Sequence, residues 1–116
     1  MTFSELQKIF PSAIPETWHQ HSNGGGWVQN DCTIDVLAFV SGDSVVTGRS
    51  RVDGGSIVDG RSRVDDGSRV DGESRVDGES IVTGRSIVDG GSRVDGGSRV
   101  EGRRVKIKLG GGSPRR

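Results

Sequence analysis

An aliphatic residue recurs every six positions from Val28 to Val100: Val28, Ile34, Val40, Val46, Val52, Val58, Val64, Val70, Val76, Val82, Val88, Val94 and Val100. Four residues after each stands a small side chain. These are Cys32 and Ala38, then serine in unbroken steps of six from Ser44 to Ser98, until Arg104 ends the series. A period of six fits neither an amphipathic helix nor an ordinary globular strand. It is the period of a solenoid of short parallel strands.

Composition alone points the other way. Only 29% of the residues are hydrophobic, which on its own suggests disorder. Strict phase reverses that reading, because a thin solenoid needs only a narrow internal column of apolar side chains. Sixteen basic residues balance sixteen acidic ones. A net charge of zero argues against a broad nucleic-acid footprint. The single cysteine, Cys32, excludes a disulfide within the chain and falls on an inward, small-residue position. No apolar run has the length of a signal peptide or membrane span, so no membrane contact and a cytoplasmic location in a bacterial host are expected.

The chain divides into an N-terminal cap at 1–27, the repeat at 28–102, a terminal strand at 103–109 and a flexible tail at 110–116. Thr2 and Glu5 have the spacing of a capping box, which predicts a short helix from Phe3 to Phe10, ended by Pro11. Phe3, Leu6 and Phe10 share one face of it. The open end of a solenoid needs a cover. Val36, Leu37, Phe39 and Val45 are apolar at turn or outward positions, and the cap is expected to bury them.

In a unit such as Ser-Arg-Val-Asp-Gly-Gly, side chains alternate across the strand. Ser and Val point inward, Arg and Asp outward, and Gly allows the corner through positive φ. Three strands and three corners close a triangular coil of eighteen residues. Thirteen hexads give about four coils, roughly 20 Å of rod at the usual strand spacing. The expected core is Val46, Val52, Val58, Val64, Val70, Val76, Val82, Val88, Val94 and Val100.

The pattern, seen in Val52-Asp53-Gly54-Gly55-Ser56-Ile57, resembles the hexapeptide-repeat superfamily of single-stranded left-handed parallel β-helices. That resemblance implies an all-β fold and its left hand. A narrower likeness lies in Asn23-Gly24-Gly25-Gly26-Trp27-Val28. It is similar to the Gly-Gly-Trp-Val entry segment of hexapeptide-repeat proteins common in phages and prophages, and implies such an origin without an activity.

Residues eighteen apart stack on one face. The first face carries Thr33, Arg51, Arg69, Ile87 and, if phase holds, Val105, beside Asp35, Asp53, Asp71 and Asp89. The second carries Phe39, Ile57, Arg75 and Arg93, beside Ser41, Asp59, Asp77 and Asp95. The third carries Trp27, Val45, Arg63, Ile81 and Arg99. Stacked like charges repel, so each Asp ladder needs its Arg neighbours. Asp65 and Glu101 interrupt the row of Thr47 and Thr83, which argues against an ice-binding face.

No catalytic constellation is visible. Acyltransferases, the best-known enzymes on this fold, resemble one another in a His base and a loop that projects from the coil. Here no insertion interrupts the thirteen hexads, and His19 and His21 both precede the coil. His19 and His21 with Asp31 or Cys32 make only a weak metal pattern, and a structural role in the entry turn is the better account. Gly24–Gly26 lack the Lys and helix of a phosphate loop. Calcium-binding solenoids use a nine-residue repeat. No enzyme activity, cofactor or metal is expected.

Arg104 falls on a small inward position, where burial is costly, so the coil is expected to slip or open near Gly102. Val105, Ile107 and Leu109 then alternate with Lys106 and Lys108, a strand signal. This strand is expected either to close the last coil or to join a second copy about a two-fold axis, giving a dimer through the C-terminal end. The expected function is that of a phage-type binding protein presenting rigid faces to a host protein, in one form inhibiting a host enzyme or defence complex. A virion or filament component is the alternative. The surfaces singled out are Val105, Ile107 and Leu109 at the end, and Ile81, Ile87, Arg69, Arg75 and Arg93 on the faces.

Overall fold

The computed structural model describes residues 2–102, 104–105 and 108–109. Ile107 and the tail at 110–116 lie outside the described residues. A β-branched residue flanked by alternating polar side chains favours extended backbone. Each hexad accordingly supplies one strand of two or three residues. Along the chain, β1 (Trp18–Gln20) and β2 (Trp27–Gln29) come first. Thereafter the chain visits three faces in turn. The first holds β3 (Thr33–Ile34), β6 (Arg51–Val52), β9 (Arg69–Val70), β12 (Ile87–Val88) and β15 (Arg104–Val105). The second holds β4 (Phe39–Val40), β7 (Ile57–Val58), β10 (Arg75–Val76), β13 (Arg93–Val94) and β16 (Lys108–Leu109). The third holds β2, β5 (Val45–Val46), β8 (Arg63–Val64), β11 (Ile81–Thr83) and β14 (Arg99–Glu101). From β2 to β14 the pairings are parallel and join residues eighteen apart, as in Arg51↔Arg69 and Val52↔Val70. The protein is a parallel β-solenoid of about four coils.

The inside is an aliphatic column beside a serine column. Val28, Val40 and every sixth valine from Val46 to Val100 are completely buried. The serines from Ser44 to Ser92 are polar yet buried, and among them all hydroxyls except that of Ser80 are hydrogen-bonded. Those of Ser44, Ser50, Ser56, Ser62, Ser68 and Ser74 each accept the backbone N–H of the serine one coil later, at 3.1–3.2 Å. Those of Ser86, Ser92 and Ser98 donate to the carbonyl three residues back at 2.6–2.7 Å. Burial of these hydroxyls is therefore compensated, with Ser80 the exception.

At the N-terminus, α1 (Phe3–Ile9) begins with the expected capping box. Thr2 Oγ1 accepts the Glu5 N–H at 3.2 Å, and the Glu5 carboxylate accepts the Thr2 N–H at 2.7 Å. Phe10 forms the C-cap, so the helix stops one residue before its expected limit. The helix lies along the outer side of the third face. The open end is covered instead by β1, antiparallel to β2, and by residues 23–26, which run antiparallel beside β4. There the Gly26 N–H donates to the Val40 carbonyl at 2.8 Å. The expectation of apolar cover holds for Val45, which is buried, and in part for Phe39, which lies beside Gly24. It fails for Val36 and Leu37, which are 74% and 72% exposed. The cap turns away before reaching their corner.

At the other end the coil slips, as Arg104 requires. Arg104 stands opposite Ile87 and Val105 opposite Val88, one residue short of the repeat. Arg104 thus takes the outward place expected for Val105, and its guanidinium meets Asp89 at 2.8 Å. Lys108 stands opposite Arg93 and Leu109 opposite Val94. The segment expected as one terminal strand therefore supplies two short strands on different faces, both continuing the solenoid.

The corners need positive φ and, at their first position, close approach of the next coil. A Cβ on Gly78 (φ 70°) would stand 2.6 Å from the Gly96 nitrogen, whereas one on Gly97 (φ 77°) meets nothing within 4 Å. Gly97→Ala is expected to cost about 1 kcal/mol for its backbone conformation alone. Gly78→Ala adds a clash with backbone, and should cost at least about twice that. Urea denaturation of the two variants checks this, and equal losses would contradict the stacked-corner account.

Candidate functional site

A concave surface lies between α1 and the third face. Phe3, Leu6 and Phe10 point from α1 onto Trp18, Ala13, Trp27 and Val45. Phe3 meets Trp27 edge-on at 5.5 Å, and Phe10 lies tilted against Trp18 at the same distance. The Arg63 guanidinium sits 4.6 Å above the Phe10 ring, a cation–π contact that fastens the helix to the coil. The helix therefore covers the first rungs of this face and stops before Ile81. A groove of about 370 Å³ remains, lined by Glu5, Ile9, Asp43, Val45, Arg61, Ser62, Arg63, Glu79 and Ile81. Its floor is aliphatic and its rim is charged. Arg61 and Asp43 approach to only 4.0 Å. The hydrogen bond from the Thr2 backbone holds the Glu5 carboxyl below the ordinary carboxylate range.

The flat faces are arranged differently. Arg Nε meets the Asp two residues on in Arg51–Asp53, Arg69–Asp71, Arg75–Asp77 and Arg93–Asp95, at 2.7–3.0 Å. On the second face the terminal nitrogens also reach the Asp one rung below, Arg75 to Asp59 at 3.4 Å and Arg93 to Asp77 at 3.5 Å. Asp59, Arg75, Asp77, Arg93 and Asp95 thus form one zipper. Within it, burial raises the Asp59 carboxyl above its ordinary value, aided by Asp77 and opposed chiefly by Arg75. Such partly exposed pairs each contribute at most about 1 kcal/mol. Their effect is to neutralise the faces.

The surface residues singled out from sequence are accordingly dispersed. Ile81 lines the groove. Ile87 is half-buried on the first face, and Arg69 is paired there with Asp71. Arg75 and Arg93 belong to the zipper on the second face. Val105 and Leu109 hold register positions on the first and second faces, and Ile107 lies outside the described residues. The groove adds Ile9, Glu5 and Glu79, which sequence reasoning missed. Ile81 was the available signal, as an aliphatic residue between Arg63 and Arg99 on one face.

The two histidines do not converge. His19 Nδ1 lies 2.6 Å from Asn30 Oδ1, while the buried His21 donates from Nε2 to the Ala38 carbonyl at 2.8 Å. Among the described residues no group of three or more His, Cys, Asp or Glu side chains is placed to hold a metal ion. No described helix is long and apolar enough to cross a membrane. The chain matches no protein-family model, no curated protein and no solved structure.

Cys32 takes the place of the first serine in the inward column, beside Ile34 at the N-terminal end. Burial pushes its thiol up to about 11, from an ordinary value of 9.0. A thiol with a raised value stays protonated while the unfolded chain ionises, so stability should fall as pH rises from 9.0 towards 11. At pH 8 alkylation of Cys32 is expected to be about a hundredfold slower than in the urea-unfolded chain. Equal rates would contradict its burial.

Proposed function

We propose that this chain is a non-catalytic binding protein of phage or prophage type, built on a left-handed hexapeptide-repeat solenoid. It presents a rigid surface to a bacterial host protein, and inhibition of a host enzyme or defence complex is its specific form. The observation that carries the reading is the groove beside α1. It combines an aliphatic floor of Ile9, Val45 and Ile81 with charged groups of both signs at its rim. That is the composition of a protein contact: an apolar centre excludes water while a polar rim fixes register. The scaffold is suited to the task, because corner and rung geometry hold the groove walls without a moving loop.

The phage-type origin is drawn from the Gly24-Gly25-Gly26-Trp27-Val28 entry segment. Those glycines have a structural reason here, since a Cβ on Gly26 would stand 2.3 Å from a Val40 methyl. Self-association through the C-terminal end belongs to the same proposal.

A tagged chain should retain one host protein in stoichiometric amount from a bacterial lysate. Ile9→Glu combined with Ile81→Arg should lower that recovery at least tenfold while leaving the circular dichroism spectrum unchanged. Undiminished recovery by the double variant would remove the groove as the site. A chain that retains no host protein would remove the binding reading.

A further inference from the structure

The N-terminal cap closes two of the three sheets and leaves the third open. On the third face β1 lies over β2, and on the second face residues 23–26 lie over β4. On the first face β3 is the last strand of its sheet. The result is a notch one strand wide, with β3 as its floor and a layer of chain on the two neighbouring faces.

Three further observations show that the notch is bare. Among the inward aliphatic residues from Val28 to Val100, all except Ile34 are completely buried; Ile34 sits beneath the notch and is only partly buried. In a parallel ladder alternate residues turn their backbone groups to opposite sides. The N–H groups of Thr33 and Asp35 donate to the next coil, which turns those of Ile34 into the notch. At the mouth stand Val36 and Leu37, the two most exposed large aliphatic residues described. Edge strands are ordinarily guarded by Lys, Arg or Pro. The C-terminal end carries Arg103, Arg104, Lys106 and Lys108, whereas β3 has Thr33 and Ile34.

The charge around the notch specifies what fits. Asp31 is exposed at one margin. Asp35 stands two residues after Thr33, where Asp53 and Asp71 have Arg51 and Arg69. The Asp35 carboxylate accepts the Leu37 N–H at 2.9 Å and the Gly54 N–H of the next coil at 3.4 Å. Its charge has no arginine beside it, because Arg51 is paired with Asp53.

We propose that this notch binds an extended, basic and aliphatic peptide segment of a partner protein, added as a further strand on β3. Backbone hydrogen bonds to Ile34 give the affinity, and side-chain alternation gives the selectivity, as in other strand-addition sites. One aliphatic side chain stacks inward on Ile34. Lysine or arginine on the outward side balances the charge of Asp31 and Asp35. The site is independent of the groove beside α1.

The probe is the synthetic peptide acetyl-Thr-Lys-Val-Lys-Val-Lys-Thr-amide, compared with its Glu-for-Lys counterpart. Cys32, beside Ile34, is the reporter. The lysine peptide should bind one-to-one, slow alkylation of Cys32 at least fivefold and shift the Ile34 amide resonance. Val36→Lys with Leu37→Lys, both at exposed positions, should weaken binding at least tenfold. Ile81→Arg should leave it unchanged, so the result does not depend on the groove. Equal binding of the glutamate peptide, or no protection of Cys32, would overturn the proposal. So would a dimer that protects Cys32 without peptide, since a second copy would then fill the notch.

Discussion

From Ser44 to Ser74 each inward serine hydroxyl accepts the amide of the serine one coil later, and each inward valine stacks on the aliphatic residue beneath it. These two columns hold everything else in place. The valines supply apolar burial, roughly 1.5–3 kcal/mol for a fully buried side chain of this kind. The serines compensate a buried amide that a purely aliphatic interior would leave weakly bonded. A chain of only 29% hydrophobic residues folds because one aliphatic residue of each hexad stacks in a single internal column. Serine is more than a small residue here, since alanine would fill the same space and lose the hydrogen bond.

Outside those columns, opposite charges neutralise rather than stabilise. An Asp ladder alone would repel itself, and the interleaved Arg ladder prevents this. The zipper from Asp59 to Asp95 uses each Arg twice, once within its strand and once across the rung. Such faces offer little net charge to a partner. Distinctive surface is therefore created where the repeat is broken: by α1 against the third face, and by the uncovered edge of β3.

Much of this was legible from local pattern. The six-residue phase specifies the parallel register, and Thr2 with Glu5 specifies the start of α1. Arg104 at an inward position specifies a slip. The direction of that slip was not legible, because it depends on which neighbour the chain can reach once a residue is omitted. The structure places Arg104 opposite Ile87 and beside Asp89. Val36 and Leu37 misled for a related reason. Apolar turn residues imply a cover, but only tertiary placement of the cap decides whether it extends that far. The groove was invisible because it joins Ile9 to Ile81, residues related by the docking of α1 and by no sequence period.

Native-state hydrogen exchange of the backbone amides of Ser62, Ser68, Ser74, Ser80 and Ser86 tests the central claim most directly. The stacked columns predict that these amides exchange only through global unfolding, with protection equal to the stability from denaturation. Ser68→Ala should selectively lower the protection of Ser86. Serine amides exchanging as fast as exposed corner amides would contradict the account.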